Sequence, residues 1–597
     1  SPIKNLTDIF DQRKKHKSVS EKQEKTAFEN IESYELNKDQ KAALEKFLEV
    51  GPVSFLQGPP GTGKTKFIST LIHFGLSHNL FKKVLIASQS HEAVNNAAES
   101  LIELFKRQQL EVSMIRVGTA AIIPNSLKPY HTSTIEHNFR TQFKNRMLQN
   151  YTFCAAKSGL SPKFAKQFYD FDTTIFPLIR SFRSAIDEDT EKANRLQQIL
   201  ETKLISFPHL MDVDINHTDE ELLIECITQI AKNTGFVSES SIKNFSKFLK
   251  LSDDWIGQVS SRVRNFEEFL ANTRSIVCGT CVGLGKSSLS LFDQPFDLVI
   301  IDEAARCTPG ELSIPLQSAK KVILVGDQNQ LEPFFDDELL SKIVAKLHLE
   351  TNQITRSSFE YGISKMENAA SIHRLTEQYR MMPNIGDLVS QTFYEPSTKL
   401  SHGRQNYILP RDCLPNELKS QLIWYDTTSA GERAMETHER HSKSLKNEYE
   451  AKIVTDIIGR LTRDNHFLSW FKECEDEYPI GVICGYAAQK RLINEKLISF
   501  GFENSILSRI KVDTIDSYQG QENVIIILSL VRNNKASKEG QISPGFMAKP
   551  NRINVAISRA RDNLIIVGAK SNWQQGSSIE KLASNFDKLD NIKIYDA

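Results

Sequence analysis

Gly58-Pro59-Pro60-Gly61-Thr62-Gly63-Lys64-Thr65 fits G-x-x-x-x-G-K-[ST], the spacing of a loop that cradles phosphate. The apolar run Val53-Ser54-Phe55-Leu56 before it reads as a buried strand, and Lys66–Ile72 after it reads as a helix. In that setting the loop's backbone N–H groups face phosphate oxygens and the helix N-terminus adds positive potential. Lys64 reaches the outer phosphates and Thr65 offers its hydroxyl to Mg²⁺. Hydrolysis needs more: a second contact to the metal and a group that activates water. Leu298-Val299-Ile300-Ile301-Asp302-Glu303, an apolar strand ending in two carboxylates, can supply both. Asp302 would hold Mg²⁺ through water, and Glu303 would orient or deprotonate the attacking water. A further strand, Val322–Val325, runs into Gly326-Asp327-Gln328-Asn329-Gln330-Leu331, where Gln330 is a candidate sensor of the γ-phosphate.

These residues need strands and helices to position them. Short Val/Ile-rich runs at 53–56, 84–87, 276–278, 298–301 and 322–325 alternate with helical segments, and the pattern returns at 481–484, 524–530 and 563–567. Near-continuous apolar strands separated by helices predict parallel sheets covered on both faces. The expectation is therefore an α/β chain with two domains, 36–350 and 351–597. Residues 1–35 read as a charged arm or helix, whose Arg13-Lys14-Lys15-His16-Lys17 cluster is a solvated face. Residues 119–272 lack buried parallel strands and predict a mainly helical insertion. Between Arg140 and Arg183 the insertion carries Arg140, Lys144, Arg146, Lys157, Lys163, Lys166, Arg180 and Arg183, opposed locally by Asp170 and Asp172. Phe143, Tyr151, Phe153, Phe164, Phe168, Tyr169 and Phe171 are interleaved. The aromatics read as a small core, and some of the basic residues as nucleic-acid contacts.

The 597 residues carry 74 basic and 74 acidic side chains, so a partner cannot be inferred from overall charge, although a local basic groove stays open. Eight scattered cysteines without a secretory signal suit a reduced, intracellular protein, cytoplasmic with a nuclear site also open. Cys278 and Cys281 form a lone C-x-x-C with no second pair at zinc spacing. No apolar stretch approaches the ~20 residues that span a bilayer, so no membrane partner is expected. The chain begins at Ser1, which reads as a fragment of a longer protein.

Taken in order, the segments resemble the superfamily 1, group B helicases of the Upf-like type, the group of the nonsense-mediated-decay helicase and senataxin. Leu36-Asn37-Lys38-Asp39-Gln40 resembles the Q motif, and Ser88-Gln89-Ser90-His91-Glu92-Ala93-Val94-Asn95 resembles motif Ia. Cys278-Gly279-Thr280-Cys281-Val282-Gly283 is similar to motif Ic, Asp302-Glu303-Ala304-Ala305 to motif II, and Gly326–Leu331 to motif III. Gln378-Tyr379-Arg380-Met381 resembles motif IV. Val512-Asp513-Thr514 through Gln519-Gly520-Gln521-Glu522 resembles motif V, and Asn554–Arg561 resembles motif VI. Softer matches are Glu450, as a ribose-side acid, and Gly485-Tyr486 with Gln489, as a strand-binding turn. Glu332 and Asn95 depart from the family pattern, which usually has Pro and Asp there. The insertion is also longer than usual, and 35 residues before the Q motif leave no room for a barrel accessory domain.

The resemblance implies two RecA-like P-loop domains and an ATP-dependent helicase or translocase moving 5′→3′ on single-stranded nucleic acid, RNA or DNA. It implies that Gln40 reads adenine, Tyr379 stacks on the base and Glu522 lies at the nucleotide. Arg380 and Arg559 would be arginine fingers, and Ser90, Thr280, Tyr486 and Thr514 would contact the strand. ATP and Mg²⁺ are the expected ligands, with Thr65 and Asp302 on the metal, and a monomer is expected; protein partners are left unidentified. Three other readings stay open: an ATP-gated nucleic-acid clamp or ribonucleoprotein remodeller, the helicase module of a larger nuclease or defence protein, and a P-loop ATPase unrelated to nucleic acid.

Overall fold

The computed structural model describes residues 31–597 apart from 50, 187–189, 216, 236–237, 250–265, 287–288, 292–293, 349, 366–370, 397, 441, 519 and 534–540. The basic cluster at 13–17, most of the expected N-terminal arm and Gln519 lie outside the described residues.

The apolar runs form strands whose side chains are buried along their whole length, as parallel sheets covered on both faces require. The first sheet has seven strands: β1 (Val53–Gln57), β2 (Val84–Ser88), β3 (Met114–Arg116), β4 (Ile276–Thr280), β5 (Leu298–Asp302), β6 (Val322–Gly326) and β7 (Ile372–Arg374). Their order is β3-β4-β2-β5-β6-β1-β7, and every pairing is parallel. A short parallel pair follows, β8 (Glu377–Gln378) with β9 (Ser401–His402). The second sheet contains β10 (Leu422–Asp426), β13 (Ile480–Cys484), β14 (Ile510–Thr514), β15 (Asn523–Ser529), β16 (Ala560–Gly568) and β17 (Ile592–Asp596), in the order β14-β13-β15-β16-β10-β17. It too is parallel throughout. A small antiparallel pair joins β11 (Thr437–His438) to β12 (Leu445–Lys446).

Two expected boundaries move. β7 pairs with β1 through Phe55↔Ile372 to Gln57↔Arg374, so the first sheet takes its edge strand from beyond the break expected at 350/351. The insertion is a compact unit of residues 128–270, shorter than the expected 119–272, and β3 belongs to the first sheet.

Within the insertion, helices Thr132–Lys157, Pro162–Asp170, Phe176–Ile186, Thr190–Leu204 and Asp219–Thr234 surround a core of Tyr151, Phe164, Phe168, Phe171, Phe176 and Phe245. Phe168 lies edge-on to Phe245 at 5.1 Å, a favoured aromatic geometry. Phe153 departs from the core reading: it is 62% exposed, with Lys157 Nζ 5.7 Å from its ring centre. Arg180 and Arg183 both pair with Asp219, at 2.7 and 2.9 Å, so two of the basic residues are met by an acid outside their sequence window. The side chains of Arg140, Phe143 and Lys144 lie outside the described residues.

Candidate active site

Strand order brings the chemistry together. β1 and β6 are neighbours, with Gln57 opposite Gly326, and β5 flanks β6 on its other side. The phosphate-type loop, the Asp302-Glu303 pair and the Gly326–Leu331 turn therefore leave adjacent strand ends, where open parallel sheets form their binding crevice. Close packing of the turns is enforced at Gly326, where an added Cβ would lie 2.9 Å from the Ala305 amide nitrogen.

The loop itself is held from inside and behind. Gly63, with φ 78°, caps helix Lys64–Ser77 in the left-handed region. Lys64 Nζ donates to the Gly58 carbonyl at 2.6 Å, and Thr62 Oγ1 donates to the Pro59 carbonyl at 2.8 Å. Gln40 lies behind the loop rather than in the cavity. Its Nε2 donates to the Thr62 carbonyl at 3.1 Å, and its Oε1 accepts from the Asn37 amide at 3.1 Å.

A cavity of about 280 Å³ opens in front of the loop, lined by Pro60–Thr65, Asp302, Glu303, Gln330, Tyr379, Arg380, Glu522 and Arg559, with Ala93, Asn96 and Gly520. The segment after β8 thus meets the loop directly. The Tyr379 amide donates to the Gly61 carbonyl at 2.9 Å. A Cβ on Gly61, at φ 75°, would come within 2.6 Å of Arg380 Cβ. Only glycine allows that approach.

Charge in this cavity is unevenly matched. Burial and the adjacent Glu303 push the Asp302 carboxyl up to about 7, with Lys64 opposing. Glu303 has φ 53°, a left-handed backbone that costs of order 1–3 kcal/mol in a non-glycine residue. Arg380 Nε pairs with Glu522, whose carboxyl is held below the usual range chiefly by Arg380. Arg380 Nη1 donates to the Ser558 carbonyl at 3.2 Å. Arg559 is 2% exposed, and burial followed by repulsion from Arg380 lowers its guanidinium to about 10, so it stays charged near neutral pH.

Gln330 joins the two halves. Its Nε2 donates to Asp327 Oδ2 at 3.0 Å and its Oε1 accepts from Arg559 Nη2 at 3.1 Å. One end of the amide faces a carboxylate and the other a guanidinium, so only one orientation satisfies both. Asp327 also accepts from Tyr394 Oη at 2.6 Å, and Asn554 Nδ2 donates to that same Tyr394 oxygen at 2.9 Å. Asn554 Nδ2 reaches the Asn329 carbonyl at 2.6 Å, and Lys549 pairs with Glu332 at 2.5 Å. Sequence reasoning missed Asp327, Tyr394 and Asn554 as a set. The residues were visible, but their contacts span 67 and 160 positions.

The four expected strand contacts also sit at strand ends. Thr280 ends β4 opposite Ser88 of β2, and Ser90 lies two residues beyond. Both hydroxyls cap helices, accepting from Gly283 and Ala93 amides at 3.1 and 3.2 Å. Thr514 ends β14 opposite Cys484, and Tyr486 lies two residues past it, its ring 5.8 Å from that of Phe546.

Two softer expectations are corrected. Glu450 does not reach the cavity: it is fully buried and accepts from Ser529 Oγ at 2.7 Å and the Val531 amide at 2.8 Å. Gln489 is buried against Asn447 and Ser529 rather than presented to a strand. Cys278 donates to the Ile115 carbonyl, and Cys281 Sγ lies 4.0 Å from Cys307 Sγ. Among the described residues no helix is long and apolar enough to cross a membrane.

Two family models match the chain, both described as AAA domains, over residues 35–338 and 354–571. Among curated proteins, helicase SEN1 of Saccharomyces cerevisiae is 25% identical over 90% of the chain. ATP-dependent helicase NAM7 of the same yeast is 26% identical over 89%. An uncharacterized ATP-dependent helicase of Methanocaldococcus jannaschii is 26% identical over 90%. The chain spans 22% and 42% of the two yeast proteins and 68% of the archaeal one.

Proposed function

Because the chain belongs to the AAA-domain family of Upf-like, superfamily 1 group B helicases, we propose that it is an ATP-dependent motor on single-stranded nucleic acid. The observation that carries the reading is the convergence of Lys64, Asp302, Glu303 and Gln330 with Arg380 and Arg559 around one cavity. A guanidinium aimed at a transferring phosphoryl group is worth about 10³–10⁵ in rate. Two of them, both from the second domain, make hydrolysis depend on the two domains meeting.

Lys64 and the loop amides would bind the outer phosphates, Tyr379 would stack on the base, and Glu303 would take the proton of the attacking water. Thr65 and Asp302 offer a hydroxyl and a carboxylate, oxygen donors of the kind Mg²⁺ prefers. The bound metal would neutralise charge on the phosphates. Asp302, whose ionised form is disfavoured by burial beside Glu303, would regain its carboxylate there. Gln330, fixed between Asp327 and Arg559, would report an occupied site to the second domain. Ser90, Thr280, Tyr486 and Thr514 would touch phosphate and sugar at the strand ends, so binding would be largely sequence-independent and salt-sensitive.

The test is strand displacement on duplexes with a 5′ or a 3′ single-stranded tail, in RNA and in DNA. Displacement from the 5′-tailed duplex with ATP supports the motor. ATP hydrolysis without displacement from either tail supports the clamp reading instead.

A further inference from the structure

Beneath the motif Ia helix lies a charge without a counter-charge among the described residues. Arg116 ends β3 and is fully buried. Buried guanidinium groups are ordinarily paired with a carboxylate, because the desolvation of an unpaired charge is costly. Here Arg116 Nε donates to Asn95 Oδ1 at 2.9 Å, Nη1 donates to the Val117 carbonyl, and Nη2 lies 3.3 Å from His91 Nδ1. All of these partners are neutral. Burial and the guanidinium hold His91 below its ordinary value, and burial pushes the Cys278 thiol of the neighbouring strand up to about 12. Arginine cannot shed its proton in a protein.

The charge lies on the strand next to the one that ends in Thr280. Arg116 is opposite Cys278 on β4, two residues before Thr280, and Thr280 is opposite Ser88 on β2, two residues before Ser90. From this edge strand, one strand beyond Thr280, the guanidinium reaches Asn95 and His91 of helix His91–Arg107, the helix that Ser90 caps. Gly118 adds no bulk above it: a Cβ there would sit 3.4 Å from Nη1 and 3.7 Å from the His91 ring.

We propose that Arg116, left unneutralised because its side-chain partner on the helix is Asn95, is a positioning residue whose charge draws a phosphodiester of the single strand onto the ends of β2 and β4. This rests on the motor reading above. It explains why a costly buried charge is kept: the counter-charge arrives with the nucleic acid.

The experiment compares Asn95→Asp and Asn95→Ala with the wild-type chain, by anisotropy of a labelled single-stranded oligonucleotide from about 50 to about 200 mM salt, and by thermal melting. Asn95→Asp gives Arg116 an internal carboxylate. It should raise Tm, weaken low-salt binding roughly tenfold and make the log–log salt slope shallower by about one. Asn95→Ala removes the acceptor without adding charge, so it should lower Tm while keeping the wild-type slope. The opposite movement of Tm and binding in Asn95→Asp is what a merely structural residue would not produce. Wild-type affinity and slope in Asn95→Asp overturn the proposal, as does a slope loss in Asn95→Ala equal to that in Asn95→Asp. If the wild-type chain binds no oligonucleotide, the motor reading itself falls, and this proposal with it.

Discussion

Glu303 occupies a left-handed backbone position at the end of a buried strand, next to a carboxyl that burial holds up to about 7. Replacing it with Gln keeps the shape and removes the base. Glu303→Gln should lower kcat about 10²–10⁴-fold while ATP still binds, as measured by steady-state hydrolysis beside nucleotide titration. Arg559→Ala should cost about 10³–10⁵ in kcat, the range for a lost arginine finger. Burial pushes Glu450 from an ordinary 4.5 to about 8. A carboxyl whose folded value is raised stabilises the fold fully below its unfolded value, and that contribution is lost as pH rises through the folded value. Wild-type stability therefore carries a decline between about pH 4.5 and 8 that Glu450→Gln lacks, and the variant's Tm relative to wild type should rise between pH 5 and pH 8. A pH-independent difference would contradict this. That Lys64, Asp302 and Glu303 line one cavity was legible in the sequence from short motifs at strand ends, whereas Arg559 entered only through the family resemblance. The burial of Glu450 was not legible, because a motif match does not say whether a carboxylate faces a cleft or a core.

At the scale of elements, the crevice follows from strand order: β1, β6 and β5 are neighbours, so three turns distant in sequence share one edge. The buried strands were legible as unbroken apolar runs. β7 was not, since three half-exposed or exposed residues carry no such run, and its absence put the expected break too early. The Asp327–Tyr394–Asn554 bridge between the domains was likewise hidden, because hydrogen bonds between distant residues leave no local pattern. Tyr394→Phe tests it. The loss leaves buried Asp327 and Asn554 each short of a partner, so stability should fall by about 1–3 kcal/mol. A Tm equal to wild type would show that the bridge holds nothing. In the insertion, the aromatic core was legible from composition, whereas the capture of Arg180 and Arg183 by Asp219 was not, since the acid lies 36 positions or more away.

For the whole molecule, the motor proposed above needs side chains from both halves of the chain to complete one cavity, with single-stranded nucleic acid held at the strand ends. Lys64 and the carboxylates come from the first domain; Arg380 and Arg559 come from the second. Binding at the strand ends should therefore favour the arrangement in which the fingers reach the phosphates. The most direct measurement is steady-state ATP hydrolysis with and without single-stranded RNA and single-stranded DNA, beside Glu303→Gln. Strong stimulation by at least one polymer, abolished in the variant, is expected, with the preferred polymer identifying the substrate. Hydrolysis that neither polymer changes would contradict the motor.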